Sequence, residues 1–210
     1  MKRREFIQYS GIGVLGCSVT VAKAQLTPAQ TEGPFFPQVK PLDTDADLTK
    51  IAVDSALGEA VLIEVKVVDE KHQPITDAVV YIWQACASGR YSHTEDTNPA
   101  ELDPNFQYSA QLRTDKTGTV KIKTVVPGAY PASRKWMRPA HIHFRIDTQN
   151  QGSLTTQMYF KGDKYIATDH ILRETKSLHG KEAHDQLIVD FDTQKSKDGL
   201  RMGLFTVVMA

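Results

Sequence analysis

The stretch Arg138-Pro139-Ala140-His141-Ile142-His143-Phe144-Arg145-Ile146 reads as the start of a β-strand. Pro139 lacks an N–H and suits the entry to a strand rather than its middle. Successive side chains of a strand point to opposite faces, so His141 and His143 share one face while Ile142 and Phe144 share the other. The apolar face belongs to a core. The opposite face offers two imidazoles two residues apart, which can reach a single metal ion.

Short alternating segments lie on both sides of this strand. Val61 to Val68 sets Val61, Ile63, Val65 and Val67 against Leu62, Glu64, Lys66 and Val68. Ala78 to Ala85, Phe106 to Arg113 and Thr119 to Val126 read as further strands, and Asp115-Lys116-Thr117-Gly118 reads as a hairpin turn. Leu154 to Phe160, Gln186 to Phe191 and Phe205 to Met209 complete a set of roughly eight. Helical periodicity is short; Ala167 to Thr175 offers one turn or two. Many short strands separated by turn residues predict an all-β protein, an antiparallel β-sandwich with long loops forming a metal site. The long loops are Gly89 to Asn105 and Pro127 to Met137. Loops of this length are often functional.

The 210 residues suit one domain with a tail. Lys+Arg and Asp+Glu both total 25, so nothing suggests the basic surface that nucleic acid requires. Residues 1–24 read as an export signal. Lys2, Arg3 and Arg4 precede a short apolar run from Gly11 to Val21, and Ala22-Lys23-Ala24 offers a cleavage site. Arg3-Arg4-Glu5-Phe6-Ile7 resembles a twin-arginine motif, which implies a periplasmic or other extracytoplasmic destination. Val14-Leu15-Gly16-Cys17 also resembles a lipobox, which would place a lipid anchor on Cys17; simple cleavage after Ala24 is the preferred reading. Cleavage leaves Cys86 alone, with no intrachain disulfide. Residues 25–56 form an extended, proline-rich arm, and 57–210 form the sandwich. Within the arm, Phe35 and Phe36 among prolines are expected either to pack over an opening in the sandwich or simply to anchor the arm.

Each long loop carries a tyrosine in a distinctive setting: Gly89-Arg90-Tyr91-Ser92-His93 and Pro127-Gly128-Ala129-Tyr130-Pro131. Imidazole suits Fe, Cu, Zn and Ni, and Tyr is an attested iron ligand. A free phenol ionises near about 10, and a trivalent ion would hold it deprotonated. Two phenolates and one hydroxide balance ferric iron, which favours Fe(III) over zinc or ferrous iron. His93 is read as a nearby or surface residue, and His72, His170, His179 and His184 as solvated.

These segments together resemble the intradiol ring-cleaving dioxygenases, and most of all the protocatechuate 3,4-dioxygenase branch. The resemblance runs from about Thr31 to Asp163. It is carried by Thr31-Glu32-Gly33-Pro34-Phe35-Phe36-Pro37, Tyr81 to Tyr91, Asp103-Pro104-Asn105-Phe106, Arg113-Thr114-Asp115, Pro127 to Pro131, Arg138 to Phe144 and Thr156-Gln157-Met158-Tyr159-Phe160. It implies a non-haem Fe(III) held by Tyr91, Tyr130, His141 and His143, with Tyr130 and His141 as the axial pair. It also implies Tyr130 as a base, Arg138 as a cation that stabilises charge on the bound substrate, and Gln157 just behind the ligands. The implied reaction takes a catechol and dioxygen to a cis,cis-muconate-type diacid. The branch is built from paired chains, so a homo-oligomer is expected. Ala132 and Met137 depart from the branch's usual aromatics, and the loop from Pro131 to Met137 is short. These positions bear on which catechol is taken.

Two other readings compete. A non-catalytic β-sandwich binding module would not need two tyrosines and two histidines. A zinc hydrolase built on His141, His143 and an acid lacks a carboxylate in either ligand motif.

Overall fold

The computed structural model describes residues 24–38, 43–51 and 53–210. The strands are β1 (Ala60–Asp69), β2 (Val79–Trp83), β3 (Ser109–Arg113), β4 (Thr119–Val125), β5 (Tyr130–Ser133), β6 (Trp136–Arg138), β7 (His141–Asp147) and β8 (Ser153–Phe160). Helix α1 (His170–Asp185) follows, then β9 (Ile188–Val189), β10 (Gln194–Lys195) and β11 (Arg201–Met209). They build one sheet in the order β10-β11-β1-β4, a second in the order β3-β2-β7-β8-β9, and a small hairpin, β5-β6.

The alternation in β1 does what its pattern requires. Val61, Ile63, Val65 and Val67 are all fully buried. They join Val80, Ile82, Ile142, Phe144, Ile146 and Met158 of the second sheet, and Phe205 and Val207 of β11, in one core. Each such side chain contributes about 2 kcal/mol of apolar burial. The expected β-sandwich is present and mostly antiparallel, although β1 pairs with β11 and β8 with β9 in parallel.

Three local expectations change. The turn at Asp115–Gly118 is real, with the Gly118 N–H donating to Asp115 O at 3.0 Å. It joins no hairpin, because β3 lies in the second sheet and β4 in the first. Turn residues report a chain reversal, not the partner of the next strand. The segment Pro127 to Met137 is not an open loop but mostly the β5-β6 hairpin, with a bulge between Pro131 and Ser133. The helix is longer than one or two turns and bends at Gly180, whose φ is 88°. Only Leu172, Thr175 and Ala183 of α1 are buried, so it has no apolar stripe to read from sequence. Its N-terminus is fixed by Asp169, whose side chain accepts from the Leu172 N–H at 2.9 Å.

Strand register places the site. With Ile142 and Phe144 turned to the core, His141 and His143 face the outer side of the second sheet. Trp83 on β2 pairs with His143, which pairs with Gln157 on β8; His141 pairs with Tyr159. The arm covers this outer face. The Gln30 N–H donates to Thr155 O at 2.9 Å, Gln157 Nε2 donates to Thr31 O at 3.0 Å, and Phe36 meets Trp83 edge-on at 4.9 Å. The two phenylalanines divide the alternatives: Phe35 lines a cavity, while Phe36 anchors the arm on Trp83 and Tyr81. Residues 1–23, which hold most of the expected 1–24 leader and Cys17, lie outside the described residues. Cys86 is buried with a free thiol.

Candidate active site

Four side chains converge on the outer face of the second sheet. His141 and His143 come from β7, with ring centres 4.9 Å apart. Tyr130 opens β5, 5.6 Å from His141. Tyr91 arrives from the loop after β2, and its ring lies 5.6 Å from Tyr130 and 6.3 Å from His143. Tyr91 Oη is 3.4 Å from His141 Nε2. All four residues are buried. The β5-β6 pairing sets Tyr130 opposite Arg138, and the Gly128 N–H, donating to Cys86 O at 3.0 Å, ties the Tyr130 segment to the one that carries Tyr91.

Each imidazole is held from behind. His141 Nδ1 is 2.7 Å from Pro139 O, which makes that nitrogen the N–H donor and leaves the Nε2 lone pair on the Tyr91 side. His143 lies flat on Trp83, at 4.9 Å and 15°, and its buried Nδ1 has no hydrogen-bond partner. Gly33 of the arm presses on the same ring, where an added Cβ would sit 3.4 Å from Cε1. Burial, with the Arg138 charge next, holds both histidines well below the ordinary imidazole value. Burial likewise pushes the Tyr91 phenol well up, helped by Tyr130, and raises Tyr130 against the opposing pull of Arg138.

This donor set fits a bound cation. Neutral imidazoles with free lone pairs are the form that binds metal, and an unpartnered buried nitrogen is costly without a use. Two buried phenols would give up their protons only to a strong positive charge. No carboxylate belongs to the cluster. Among the described residues, no three of His, Cys, Asp and Glu group in a metal-binding arrangement, so the zinc hydrolase reading has no acid to complete it.

Arg138 is 5% exposed and pairs with Tyr130 across the β5-β6 hairpin. Its salt bridge is not the surface contact that a lone arginine would suggest. Nε donates to Asp169 Oδ2 at 2.8 Å, and Nη2 donates to Gln157 Oε1 at 2.6 Å and Tyr159 Oη at 3.3 Å. Burial works against the charge, but Tyr159 and Asp169 outweigh it and raise its pKa. Gln157 in turn donates from Nε2 to Thr31 O at 3.0 Å, tying the cation to the arm. The six expected site residues therefore form one connected group.

The sequence reading missed Asp169, Tyr159 and Trp136. Asp169 caps α1, holds Arg138 and accepts the Trp136 indole N–H at 3.3 Å. Its only sequence signal is an Asp before a helix start. His93 packs near Phe35 at 5.8 Å, behind the cluster rather than in it. His170 stacks on Trp136 at 4.6 Å.

A cavity of about 440 Å³ opens beside the cluster, reaching Tyr130 and Arg138. Ala132 lies in its wall as expected; Trp136, not Met137, stands beside it. Two larger clefts, of about 620 and 520 Å³, contain none of the six residues.

The β-sandwich matches the fold of intradiol dioxygenases of known structure. The chain belongs to the dioxygenase family, whose model matches residues 31–209. It is 40% identical over 172 residues to the protocatechuate 3,4-dioxygenase beta chain of Burkholderia cepacia, covering 79% of this chain and 71% of the relative. It is 32% identical over 214 residues to 6-chlorohydroxyquinol 1,2-dioxygenase of Cupriavidus pinatubonensis, covering 91% and 74%. Among solved structures, the dioxygenase domain of a dioxygenase carbohydrate-binding protein fusion from Streptomyces sp. SirexAA-E aligns with a TM-score of 0.64 at 26% identity, covering 87% of this chain and 97% of that one. The 3-chlorocatechol 1,2-dioxygenase of Rhodococcus opacus 1CP shares the fold, with a TM-score of 0.68 at 23% identity, covering 91% and 75%.

Proposed function

We propose that this chain is a non-haem Fe(III) dioxygenase that opens a catechol-type ring between its two hydroxyl-bearing carbons. The observation that carries the reading is the convergence of Tyr91, Tyr130, His141 and His143 without a carboxylate. Family membership supports it. The iron, when bound, supplies Lewis acidity that ionises and activates the catechol toward dioxygen. The overall change balances without an external reductant: the catechol takes up both atoms of dioxygen, and the ring bond between the oxygenated carbons breaks to give a cis,cis-muconate-type diacid.

The chain's own residues have distinct tasks. His141 and His143 offer neutral nitrogen donors fixed by Pro139 O and Trp83. Tyr130 is the residue that would accept a catechol proton at its phenolate Oη. Arg138 places a fixed cation where negative charge develops on the substrate, in a site where the arm restricts water. Gln157 holds that guanidinium and the arm in register. Residues 25–56 act as the cover and 57–210 as the catalytic unit. The leader at 1–24 exports the protein, and the mass of the mature chain distinguishes cleavage after Ala24 from a lipid on Cys17.

Tyr91→Phe tests the ligand set. Iron content per chain after dialysis is expected to fall several-fold while the fold, read by circular dichroism, persists. Wild-type iron retention would remove Tyr91 from the site.

A further inference from the structure

The charged lining of the cavity is lopsided. Arg138 is its one cation among the described lining residues, and it sits at the ligand end, paired with Tyr130. Its Nε and Nη2 are already engaged by Asp169, Gln157 and Tyr159. The loop after Tyr91 contributes two carboxylates to the wall, Glu95 and Asp96. Asp96 is held in place, accepting from the Tyr91 N–H at 2.7 Å and the Asn98 N–H at 2.8 Å. The rest of the wall is largely apolar, with Phe35, Pro99, Ala132, Trp136 and Ile171. Arg134 and Lys135, at the exposed tip of the β5-β6 hairpin, do not line the cavity. A ring bound by its two oxygens at the tyrosine-histidine cluster has this wall open beside it for its substituent.

We propose that the cavity selects catechols whose ring substituent is neutral or positively charged and disfavours a substituent carboxylate, with Glu95 and Asp96 as the specificity-determining residues. The inference rests on the catechol-binding reading of the same site. A substituent carboxylate would lie near two like charges, the exposed Glu95 and the half-buried Asp96, while the one lining cation is already paired with Asp169. An ammonium would gain the attraction of both carboxylates. This separates the chain from what the name of its protocatechuate-type relative would suggest.

The test uses three probes whose terminal groups are set off from the ring by one or two methylenes: 4-ethylcatechol, 4-(2-aminoethyl)catechol and 3,4-dihydroxyphenylacetate. Dissociation constants are measured anaerobically on the iron-loaded enzyme by tryptophan fluorescence, with turnover measured separately. The amine is expected to bind at least about ten-fold tighter than the carboxylate, a ratio that one near charge pair supplies. Glu95→Lys is expected to shrink or invert that ratio while leaving 4-ethylcatechol within about two-fold. Tighter binding of the carboxylate than of 4-ethylcatechol, or a ratio unmoved by Glu95→Lys, overturns the selection but not the catechol reading. Failure of all three to bind overturns both.

Discussion

Asp169 does three jobs at once. It caps α1, pairs with the buried Arg138 and accepts the Trp136 indole. The ion pair is almost fully buried, at 6% and 0% side-chain exposure. Removing one partner strands the other charge in a low-dielectric site, at a cost of about 3–5 kcal/mol. Asp169→Asn is expected to lose about that much in urea unfolding; a loss below about 1 kcal/mol would show that Arg138 is balanced elsewhere. Arg138→Lys keeps the charge but not the fork that grips Asp169 and Gln157 together. Turnover should fall about 10²-fold, the scale of one lost electrostatic contact, with iron content unchanged. Wild-type turnover in this variant would show that the fork is not needed. The four candidate ligands were legible because each lies in a short motif whose residue types already limit the chemistry. Asp169 was not, because its context is an ordinary polar stretch and its partner lies 31 positions away.

At the scale of elements, strand parity did most of the work. Once Ile142 and Phe144 were assigned to the core, the opposite face of β7 followed. Sheet membership did not follow, because neither the 69–78 connection nor the Asp115–Gly118 turn says which sheet the chain enters next. The latter turn yields a pH test. Asp115 accepts from Thr117 Oγ1 and from the N–H groups of Thr119 and Thr117, and these bonds, the Thr117 hydroxyl first, lower its pKa. A carboxyl depressed in the folded state stabilises above its unfolded value of about 4 and loses that contribution as pH falls through the folded value. Asp115→Ala should therefore be less stable than wild type at pH 7, with the gap narrowing as pH falls below about 4, measured on metal-free protein; a gap unchanged by acid would contradict this origin. Gly203 marks another constraint. It pairs with Ile63 across β1 and β11, and an added Cβ would stand 2.5 Å from Phe191 Cζ. Phe191 stacks on Phe160 at 4.7 Å, so Gly203→Ala should cost about 1–3 kcal/mol through displaced rings, read as a lower urea midpoint. An unchanged midpoint would mean that the rings shift freely. α1 was underestimated in sequence for a physical reason. Its neighbours cover it at only a few residues, and a largely solvated helix shows no stripe.

For the molecule as a whole, the arm, the two-sheet core and the Asp169 cap enclose one face of one sheet. That enclosure favours protonated phenols and neutral imidazoles, and a bound cation would shift the phenols toward phenolate. Iron bound to the folded state and not to the unfolded chain should raise thermal stability in proportion to the logarithm of free metal over its dissociation constant. The acidic cavity wall belongs to this scale too, because Glu95 and Asp96 gain meaning only when the arm and α1 close the space opposite them. The measurement that bears most directly on the tyrosine-histidine centre is a visible absorption spectrum of the purified protein, with iron quantified on the same sample. One iron per chain and a tyrosinate-to-Fe(III) charge-transfer band, shifting when a catechol is added anaerobically, is the predicted result. A protein that remains colourless after Fe(III) is supplied would contradict the account.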